Sequence, residues 1–334
     1  MVLRHFDVAA AISIAEQLGG GHIHVTWSIT TVDGRGYVAQ ELNASVFRDL
    51  EACAENLRRI DLHFSSRERG PVVPTHLRTS TGTVHAELDD GSTWRVTKRI
   101  DDVSAPHQIT SADEAFHAAA AFGSYVAILA TLPGPPLNAT IPRFHDFAWR
   151  VEQLRMAVRT NERGRASSIR RELAEAEDLA TVIGPAAVVV AADNSQAVHN
   201  DAKVTNLLCS IHSGRPVAIV DLDTTMPGSP LVDLGELVRS GASERPEDAR
   251  DVNQIEVRWF IVNALIEGFT STADLTTEQR AHTNNAGPIL AIENGIRFLA
   301  DHLNGDVYFR ARTPNQNLDR ARVQFRIARQ LLKR

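Results

Sequence analysis

A segment in the second half of the chain, HNDAKVTNLLCSIHSGRPVAIVDLD, places charged and amide side chains at fixed intervals around two short apolar runs. Asp201 is followed by Lys203 and Asn206, and the second apolar run leads to Asp221. The runs LLCSI and PVAIV, separated by the turn-forming residues HSGR, predict an antiparallel β-hairpin. Because the two ends of a hairpin lie side by side, any fold for this chain must bring Asn206 and Asp221 together, with Asp201 directly before them.

This set of side chains is what phosphoryl transfer from ATP requires. One carboxylate orients the attacking hydroxyl and accepts its proton, an amide oxygen and a second carboxylate hold Mg²⁺, and a cation offsets charge on the transferred group. The pattern H-N-D-x-K-x-x-N followed by D-L-D is close to H-R-D-x-K-x-x-N followed by D-F-G in protein kinases. We therefore predict Asp201 as the base, Lys203 as the cation near the γ-phosphate, and Asn206 and Asp221 as ligands of Mg²⁺.

The same residues have a structural alternative, since aspartate and asparagine also favour turns and helix caps. The agreement of five spaced positions with a predicted hairpin favours the catalytic interpretation. His199 is expected to support the loop rather than to act as an acid or base. Asp233, in SPLVDLGEL, is either an ordinary acid near a helix N-terminus or a buried acid that braces the predicted catalytic loop.

The first hundred residues are predicted to form mainly strands. HIHVTWSIT and GYVAQEL flank the turn signal Asp33-Gly34 and predict a hairpin, and TGTVHAEL and STWRVTKRI add further strands. The segment NASVFRDLEACAENLRRIDLHF between them predicts a helix. The N-terminal MVLRHFDVAAAISIAEQL is predicted to form an amphipathic helix.

Helical patterns dominate the rest of the chain. SADEAFHAAAAFGSYVAILATL begins with a capping-box pattern at Ser111 and Glu114, helical patterns run from about Asp146 to Ile183, and AAVVVAA predicts a strand. We therefore predict an α+β chain of two lobes. Residues 1–102 form a small N-terminal β-sheet lobe with one helix, and residues 103–334 form a larger, mainly helical lobe, with the ligand site in the cleft between them.

Composition excludes several classes of protein. The formal net charge of −6 over 334 residues argues against a dedicated nucleic-acid binder, which would carry a concentrated basic face. Cys53 and Cys209 lack partners at metal-binding spacing, and no disulfide framework is expected. No apolar run is long enough to span a bilayer and no signal peptide is recognised, so we expect a soluble cytoplasmic protein whose oligomeric state the sequence does not define.

The blocks HNDAKVTNLL and AIVDLDTTMPGSPLVDLGELVRSG resemble those of the aminoglycoside phosphotransferase and choline kinase superfamily. Within it, the chain is most similar to bacterial N-acetylhexosamine 1-kinases, which carry similar H-N-D-x-K-x-x-N and I-D-L-D-T-x-M-P-G blocks. GHIHVTW, LPGPPLNATIPRFHD and ENGIRFLADHLNGDVYF extend the resemblance over nearly the whole chain. It implies a protein-kinase-like bilobal fold and transfer of phosphate from ATP, with Mg²⁺, to the anomeric hydroxyl of an amino sugar.

The resemblance also implies residues of a sugar site. The Arg of GIRFL and the Tyr of DVYF help to form that site in the sugar kinases, and here they are Arg297 and Tyr308. By the same resemblance His22 lies near the sugar, and Asp223 faces the same pocket. Two alternatives remain open, because Arg297 could pair with Asp301 one helical turn later and Tyr308 could belong to the core.

One strand position departs from the protein-kinase pattern and leaves the candidate helix acid without its usual partner. Gln40, in YVAQ, stands where protein kinases have the strand lysine that steadies the α- and β-phosphates, and glutamine cannot supply that charge. Glutamine is frequent at this place in the sugar kinases, so we keep Gln40 as a nucleotide-site residue. Glu55, the candidate for the helix acid that normally pairs with the lysine, is also assigned to the nucleotide site. The sequence does not identify the replacing cation, for which Lys98 and Arg99 are only weak candidates.

The leading functional hypothesis is an ATP-dependent kinase of an N-acetylhexosamine or related hexosamine. An anomeric hydroxyl is more acidic than an ordinary alcohol, so a carboxylate base such as Asp201 needs no large pKa shift. A second hypothesis is a kinase of an aminoglycoside, choline or homoserine. A third is a nucleotide-binding protein without turnover, which the missing lysine favours and the retained Asp201 disfavours.

Overall fold

The computed structural model describes residues 2–19, 24–44, 46–67 and 69–333, and the structural statements below refer to those residues. The chain forms a small lobe around a five-stranded sheet and a larger lobe of helices, so the predicted α+β, bilobal fold is confirmed. No helix in the described part of the chain has both the length and the apolar character needed to cross a bilayer.

The small lobe is one antiparallel sheet in the spatial order β1-β2-β3-β5-β4. Its strands are β1 (Ile12–Leu18), β2 (Val25–Thr31), β3 (Gly36–Glu41), β4 (Ala86–Glu87) and β5 (Thr93–Lys98). The β2–β3 hairpin that the Asp33-Gly34 signal predicts is confirmed, and Gly34 takes the positive φ of 81° that this turn requires.

The prediction of one amphipathic helix at the N-terminus is wrong. A short 3-10 helix, Val2–Phe6, is followed by strand β1, which pairs with β2 at the edge of the sheet. Leu3 and Phe6 are buried in the apolar cluster of the small lobe, while β1 is largely exposed. Backbone pairing with β2 has therefore outweighed the helical spacing of the apolar residues.

The two faces of the small sheet differ in polarity. One face contributes to an apolar cluster, whose buried members are Leu3, Phe6, Ile29, Tyr37, Ala39 and Val96. Because side chains alternate along a strand, the other face carries polar residues, among them Thr26, Gln40 and Arg95. This polar face is the one that contacts the large lobe, through Arg95 and Asp223.

Helix α1 (Leu50–Ser65) belongs to the N-terminal part of the sequence but packs on the large lobe. Its buried residues Leu57, Ile60 and Phe64 join the main core cluster of the large lobe rather than the cluster of the small sheet. Asn56 of the same helix donates to the carbonyl oxygen of Thr225 at 3.2 Å. The helix is therefore fixed relative to the loop that follows the predicted metal aspartate.

The large lobe contains eight further helices in the described residues. They are α2 (Ala112–Leu129), α3 (Phe147–Thr160), α4 (Arg170–Ala192), α5 (Pro230–Gly241), α6 (Trp259–Thr272), α7 (Thr277–Ala281), α8 (Thr283–Asn304) and α9 (Gln316–Leu331). The predicted cap of α2 is confirmed, because the Ser111 side chain accepts a hydrogen bond from the backbone N–H of Glu114.

The strand predicted for AAVVVAA is wrong, since these residues form the last two turns of α4. Ile183, Ala187 and Val190 are buried at spacings of four and three, whereas Val188 is 62% exposed. This burial pattern follows the helical period, and packing has overridden the strand preference of consecutive valines.

Five short strands organise the loops of the large lobe. They are β6 (Val103–Ser104), β7 (Gln196–Val198), β8 (Leu207–Ser210), β9 (Pro216–Ile219) and β10 (Met226–Gly228). The predicted β8–β9 hairpin is confirmed, β6 adds to β8, and β7 pairs with β10. Because β6 already belongs to a sheet of the large lobe, we propose the boundary between the lobes at residues 102 and 103.

Candidate active site

Two loops of the large lobe lie side by side, and we call them loop A (residues 199–206) and loop B (residues 220–225). The Asn200 side chain donates to the carbonyl oxygen of Thr224 at 3.0 Å, and the Thr224 hydroxyl donates to the carbonyl oxygen of His199 at 2.8 Å. Asn200 has a positive φ of 63°, which asparagine tolerates better than most residues. The two loops therefore form one hydrogen-bonded unit.

Asp233, in the first turn of α5, fixes the backbone of loop A through hydrogen bonds. Its carboxylate is fully buried and accepts the backbone N–H groups of His199 at 2.8 Å and Asn200 at 2.7 Å. Burial raises the pKa of Asp233 to about 6, although nearby His199 and these two hydrogen bonds act in the opposite direction. Of the two interpretations offered for this residue, the bracing acid is confirmed.

His199 has the supporting position that the sequence predicted. Its Nδ1 accepts the backbone N–H of Asp201 at 3.2 Å, so Nε2 carries the hydrogen and donates to the carbonyl oxygen of Val220 at 3.0 Å. The ring is fully buried against Phe122 and Tyr125. The imidazole thus links loop A to loop B at the back of the site.

Asp201, Lys203 and Asn206 come together on loop A. The Lys203 ammonium lies 3.0 Å from Asp201 Oδ2, and the Asn206 amide donates to Asp201 Oδ2 at 3.2 Å and to its carbonyl oxygen at 2.9 Å. Burial by itself would raise the pKa of Asp201, but the charge of Lys203 and its hydrogen bond hold the pKa below its usual value. Asp201 is therefore an ionised carboxylate at neutral pH, with its side chain still 23% exposed.

Asp221 follows the second hairpin strand and is exposed to solvent. The hairpin brings it beside Asn206, whose carbonyl oxygen accepts the N–H of Val220 at 3.0 Å. Surrounding protein atoms and the negative charges of Asp201 and Asp223 raise the pKa of Asp221. No cationic side chain among the described residues lies within ion-pair distance of it, and this surplus of carboxylate charge suits a hard divalent cation with oxygen ligands. Asn206 and Asp221 therefore fit Mg²⁺.

Asp223 is buried in an ion pair, where the resemblance implied a residue that faces the sugar pocket. The Arg95 guanidinium from β5 donates to both carboxylate oxygens, and His24 donates from Nε2 to Oδ2 at 3.2 Å. His24 must donate from Nε2, because its Nδ1 accepts the backbone N–H of Asn43. Burial favours the neutral form of Asp223, but Arg95 and His24 together hold its pKa well below the usual value.

The two residues assigned to the nucleotide site from the small lobe are placed differently. Gln40 lies on the polar face of the sheet, and its Oε1 accepts from Arg95 Nε at 2.9 Å. Glu55 does not meet Gln40. It pairs with Arg58 one turn along α1 at 2.7 Å, and its side chain is 45% exposed. The structure therefore brings Gln40, but not Glu55, to the group around Asp223.

Arg297 on α8 and Tyr308 lie on the other side of loop A. The Arg297 guanidinium stacks over the rings of Phe144 and Phe309, with ring-centre distances of 4.9 Å and 5.4 Å, and lies 6.0 Å from the ring centre of Tyr308. Tyr308 is 51% exposed, so it is not a core residue. Asp301 does not pair with Arg297, because its carboxylate accepts the backbone N–H groups of residues 307–309. His22 lies outside the described residues.

His145 connects this side to loop A. Its Nε2 donates to the carbonyl oxygen of Asn200 at 2.9 Å and its Nδ1 donates to buried Glu293 at 2.8 Å. Burial alone would lower the pKa of His145, but the Glu293 carboxylate raises it above its usual value. Arg297 lies one helical turn after Glu293, and its guanidinium is close enough to the His145–Glu293 pair to influence the pKa of both residues.

Arg150 on α3 is a further cation in this region, and the sequence motifs do not mark it. Its guanidinium donates to the carbonyl oxygen of Phe144 and to Gln153 at 2.8 Å. Burial and the charge of Arg297 lower the pKa of Arg150 to about 10, which leaves it protonated at neutral pH. Neither guanidinium has a carboxylate of the described residues within 4.0 Å, so this side of loop A carries surplus positive charge.

Comparison with known proteins gives the same family as the motifs. The sequence model of a phosphotransferase enzyme family matches residues 14–261. Solved structures share the fold. An aminoglycoside phosphotransferase from Alicyclobacillus acidocaldarius has a TM-score of 0.61 at 14% identity and covers 99% of this chain and 93% of that chain.

Two other kinases have similar structures. An amicoumacin kinase, solved with AMP-PNP, Ca²⁺ and its antibiotic, has a TM-score of 0.57 at 13% identity over 98% of this chain and 90% of that chain. A choline kinase from Cryptosporidium parvum has a TM-score of 0.54 at 14% identity over 96% of this chain and 89% of that chain. The acceptors of these proteins differ widely, while the fold is shared.

Proposed function

This chain belongs to the phosphotransferase enzyme family, and from that premise we propose that it transfers the γ-phosphoryl group of ATP to the anomeric hydroxyl of an N-acetylhexosamine or a related hexosamine. Enzymes of the family phosphorylate hydroxyl acceptors with ATP and a divalent cation, and one of the similar structures holds AMP-PNP and Ca²⁺. The observation that carries the proposal is the meeting of Asp201, Asn206 and Asp221 at the two ends of one hairpin.

Asp201 is the proposed base. Its pKa is held low by Lys203, so the carboxylate is ionised and ready to accept a proton from the acceptor hydroxyl. An anomeric hydroxyl is acidic enough to give its proton to a carboxylate of low pKa. An ordinary alcohol is less acidic and suits such a base less well. Asp233 and His199 keep the loop in place, so most of the rate gain is expected from positioning.

Lys203, Asn206 and Asp221 are proposed to hold the phosphates. Lys203 lies beside the proposed base, and its charge would offset negative charge on the γ-phosphoryl group during transfer. Asn206 and Asp221 would hold Mg²⁺, whose positive charge would offset part of the charge on the phosphates. Without such a cation, Asp201, Asp221 and the triphosphate would repel one another.

The charge on the acceptor side supports a sugar over a cationic acceptor. Arg150 and Arg297 lie beside loop A without carboxylate partners among the described residues, so a polycationic aminoglycoside or a choline would meet like charge there. An acylated amino sugar has no positive charge and offers carbonyl and hydroxyl oxygens to the guanidiniums. Tyr308 is exposed beside them and can pack against a sugar ring.

His22, Asp223, Gln40 and Glu55 enter the proposal with different support. Asp223 is held by Arg95 and His24, so we propose that it shapes the boundary between nucleotide and acceptor rather than binding the sugar as a free carboxylate. Gln40 is proposed to act with Arg95. His22 stays a prediction from the resemblance, and Glu55 has only its surface pair with Arg58.

The test is ADP release from ATP and Mg²⁺ with a panel of acceptors. The panel holds N-acetylglucosamine, N-acetylgalactosamine, glucosamine, glucose, galactose, choline, homoserine and kanamycin. Asp201→Asn removes the base, and Asp89→Asn changes an exposed turn residue as the matched control. We expect turnover with an N-acetylhexosamine in the wild type and in the control, and none above background in Asp201→Asn.

Other outcomes of the panel contradict the proposal in separate ways. Turnover with kanamycin or choline alone would show that the surplus positive charge beside loop A does not select the acceptor. Equal turnover by Asp201→Asn would show that this carboxylate is not the base. Bound ATP without turnover on any acceptor would favour a nucleotide-binding protein that lacks activity.

A further inference from the structure

The small lobe lacks the lysine that protein kinases use to steady the nucleotide phosphates. Gln40 occupies that strand position and carries no charge. The side-chain oxygen Oε1 of Gln40 marks roughly the place that a lysine amine would reach from the same backbone position. The group nearest to that place therefore identifies what has replaced the lysine.

The Arg95 guanidinium occupies this place. Arg95 lies directly opposite Gln40 in the pairing of β3 with β5, on the same polar face of the sheet. Its Nε donates to Gln40 Oε1 at 2.9 Å, so a cation lies one hydrogen bond from the lysine position. An arginine reaching across from the neighbouring strand puts positive charge where a lysine on β3 would put it.

The counter-ion of this cation also differs from the protein-kinase arrangement. There the strand lysine pairs with a glutamate of the helix that packs on the sheet. Here Glu55 of α1 pairs with Arg58 at the surface, and Arg95 instead pairs with Asp223, two residues beyond Asp221. The pair is 5% and 4% exposed and links the sheet of the small lobe to loop B.

The other two basic residues at this end of the sheet do not reach loop B. Lys98 is exposed at the end of β5. Arg99 donates to the hydroxyls of Ser28 and Thr30 and pairs with Asp101 at 2.8 Å. Of these three basic residues, Arg95 alone contacts the loop that carries Asp221. It uses Nε for Gln40 and one N–H on each terminal nitrogen for Asp223, so two of its five N–H groups have no acceptor among the described residues.

We propose that Arg95 is the cation of the nucleotide-phosphate site, replacing the strand lysine of protein kinases, with Asp223 as the carboxylate that orients it. This inference rests on the proposed ATP-dependent function. It assigns a phosphate-binding residue that neither the motifs nor the two candidates Lys98 and Arg99 supplied. It also explains how the chain works with a glutamine at position 40.

The test measures nucleotide binding by titration calorimetry and needs no acceptor. The probes are the magnesium complex of AMP-PNP, which carries phosphates, and adenosine, which carries none. The variants are Arg95→Met, Arg95→Met with Gln40→Lys, Arg95→Met with Asp223→Asn, and Lys98→Met as the control on the same strand. Gln40→Lys returns a cation to the strand position that kinases use.

We expect Arg95→Met to weaken Mg·AMP-PNP binding about 10- to 100-fold, as loss of a charge-assisted hydrogen bond does, with adenosine affinity unchanged. Adding Gln40→Lys should restore most of the lost affinity, because the new amine extends from position 40 towards the space that the Arg95 guanidinium leaves. Lys98→Met should bind both probes as the wild type does.

Three results would overturn the inference. One is wild-type affinity for Mg·AMP-PNP in Arg95→Met, and another is no recovery on adding Gln40→Lys while adenosine still binds normally.

Arg95→Met leaves a buried carboxylate without its counter-ion and is at risk of misfolding, so the variant that also carries Asp223→Asn removes both charges and provides the third test. Wild-type binding of Mg·AMP-PNP in that double variant would show that Arg95 serves only to balance Asp223. A wild-type protein that binds no Mg·AMP-PNP would instead contradict the proposed function itself.

Discussion

The two sides of loop A carry opposite surplus charge. On the side of loop B lie two carboxylates, Asp201 and Asp221, and the ammonium group of Lys203, which pairs with Asp201. On the other side, Arg150 and Arg297 lie beside loop A without carboxylate partners among the described residues. Unbalanced charge in a binding site indicates what a ligand must supply. The carboxylates call for a cation that binds with the nucleotide, and the two arginines call for an acceptor rich in oxygen atoms.

In a third region, by contrast, the positive and negative charges balance. Arg95 and Asp223 are both buried and neutralise each other, and His24 completes the hydrogen bonds of the carboxylate. This pairing holds the Arg95 guanidinium in one position, whereas the surplus charges around loop A depend on a ligand to balance them. Substitutions in each region test this division.

The largest effect is expected from removing the metal carboxylate. Asp221→Asn keeps the shape of the side chain and removes the charge that binds the cation. Because a bound cation stabilises the transition state by several kcal/mol, kcat should fall by about 10³ or more. Steady-state ADP release at saturating ATP and Mg²⁺ gives the value, with Asp89→Asn as the control. A kcat within tenfold of the wild type would place the metal elsewhere.

The positive side should affect the acceptor and not the nucleotide. Arg297→Met removes the guanidinium and keeps an unbranched side chain that can still pack on Phe144 and Phe309. KM for the hexosamine should rise about 10- to 100-fold, as loss of a charged hydrogen bond predicts, while KM for ATP stays unchanged. Arg159→Met, at an exposed pair on α3, is the matched control. An equal rise in both KM values would mean that Arg297 holds the fold rather than the acceptor.

The bracing carboxylate predicts a pH dependence of stability. The pKa of Asp233 is about 6 in the folded protein and near 3.8 in the unfolded chain, so the folded state binds the proton more tightly. Its contribution to stability is therefore complete below about pH 4 and is lost as the pH rises through 6, by up to about 3 kcal/mol.

Chemical denaturation of the wild type and Asp233→Asn between pH 4 and pH 7 measures this contribution. The wild type should be more stable than Asp233→Asn at pH 4. Both oxygens of the carboxyl group can accept the two backbone N–H groups of loop A, whereas the asparagine side chain has only one oxygen. The difference in free energy of unfolding should narrow as the pH rises. A difference that stays constant or grows would show that Asp233 is ionised in the fold throughout.

The smallest effect on activity is expected from substituting Glu55 of α1. Glu55→Gln removes only a surface pair with Arg58, which is worth about 0.5 kcal/mol or less. Activity should stay within about twofold of the wild type, and the melting temperature should hardly change. A drop in kcat of tenfold or more would restore Glu55 to the role that its counterpart has in protein kinases.

The sequence predicted the centre of the site because the relevant residues are close along the chain. Asp201, Lys203 and Asn206 lie within six positions, and the hairpin that brings Asp221 to them has an unambiguous turn. Local spacing and turn chemistry are sufficient for such a group. The brace from Asp233 was also identified, although without the structure two interpretations stayed open.

Arg95 was missed because its partner is distant in sequence. It lies 128 positions from Asp223, and neither residue carries a local sign of the pairing. Strand alternation could have placed Arg95 on the same face as Gln40, but the sequence shows no reason to expect an ion pair there. Arg150 was missed for the same reason, since its significance depends on Arg297 in another helix.

The errors in secondary structure have a related cause. Residues 12–18 and 186–192 both have local patterns that favour the wrong element, and tertiary pairing or packing decides them. Strand β1 forms because its backbone hydrogen-bonds to β2. The last turns of α4 form because Ala187 and Val190 are buried in the core. Local propensity is weakest where such partners are far along the chain.

The most direct test of the account compares two acceptors that differ at one oxygen. ADP release and ³¹P NMR of the product should be measured with N-acetylglucosamine and with its methyl glycoside, which has no free anomeric hydroxyl. We expect turnover with the free sugar, a phosphate on the anomeric oxygen, and no turnover with the glycoside. Equal turnover on both acceptors, or none on the free sugar while kanamycin is phosphorylated, would contradict it.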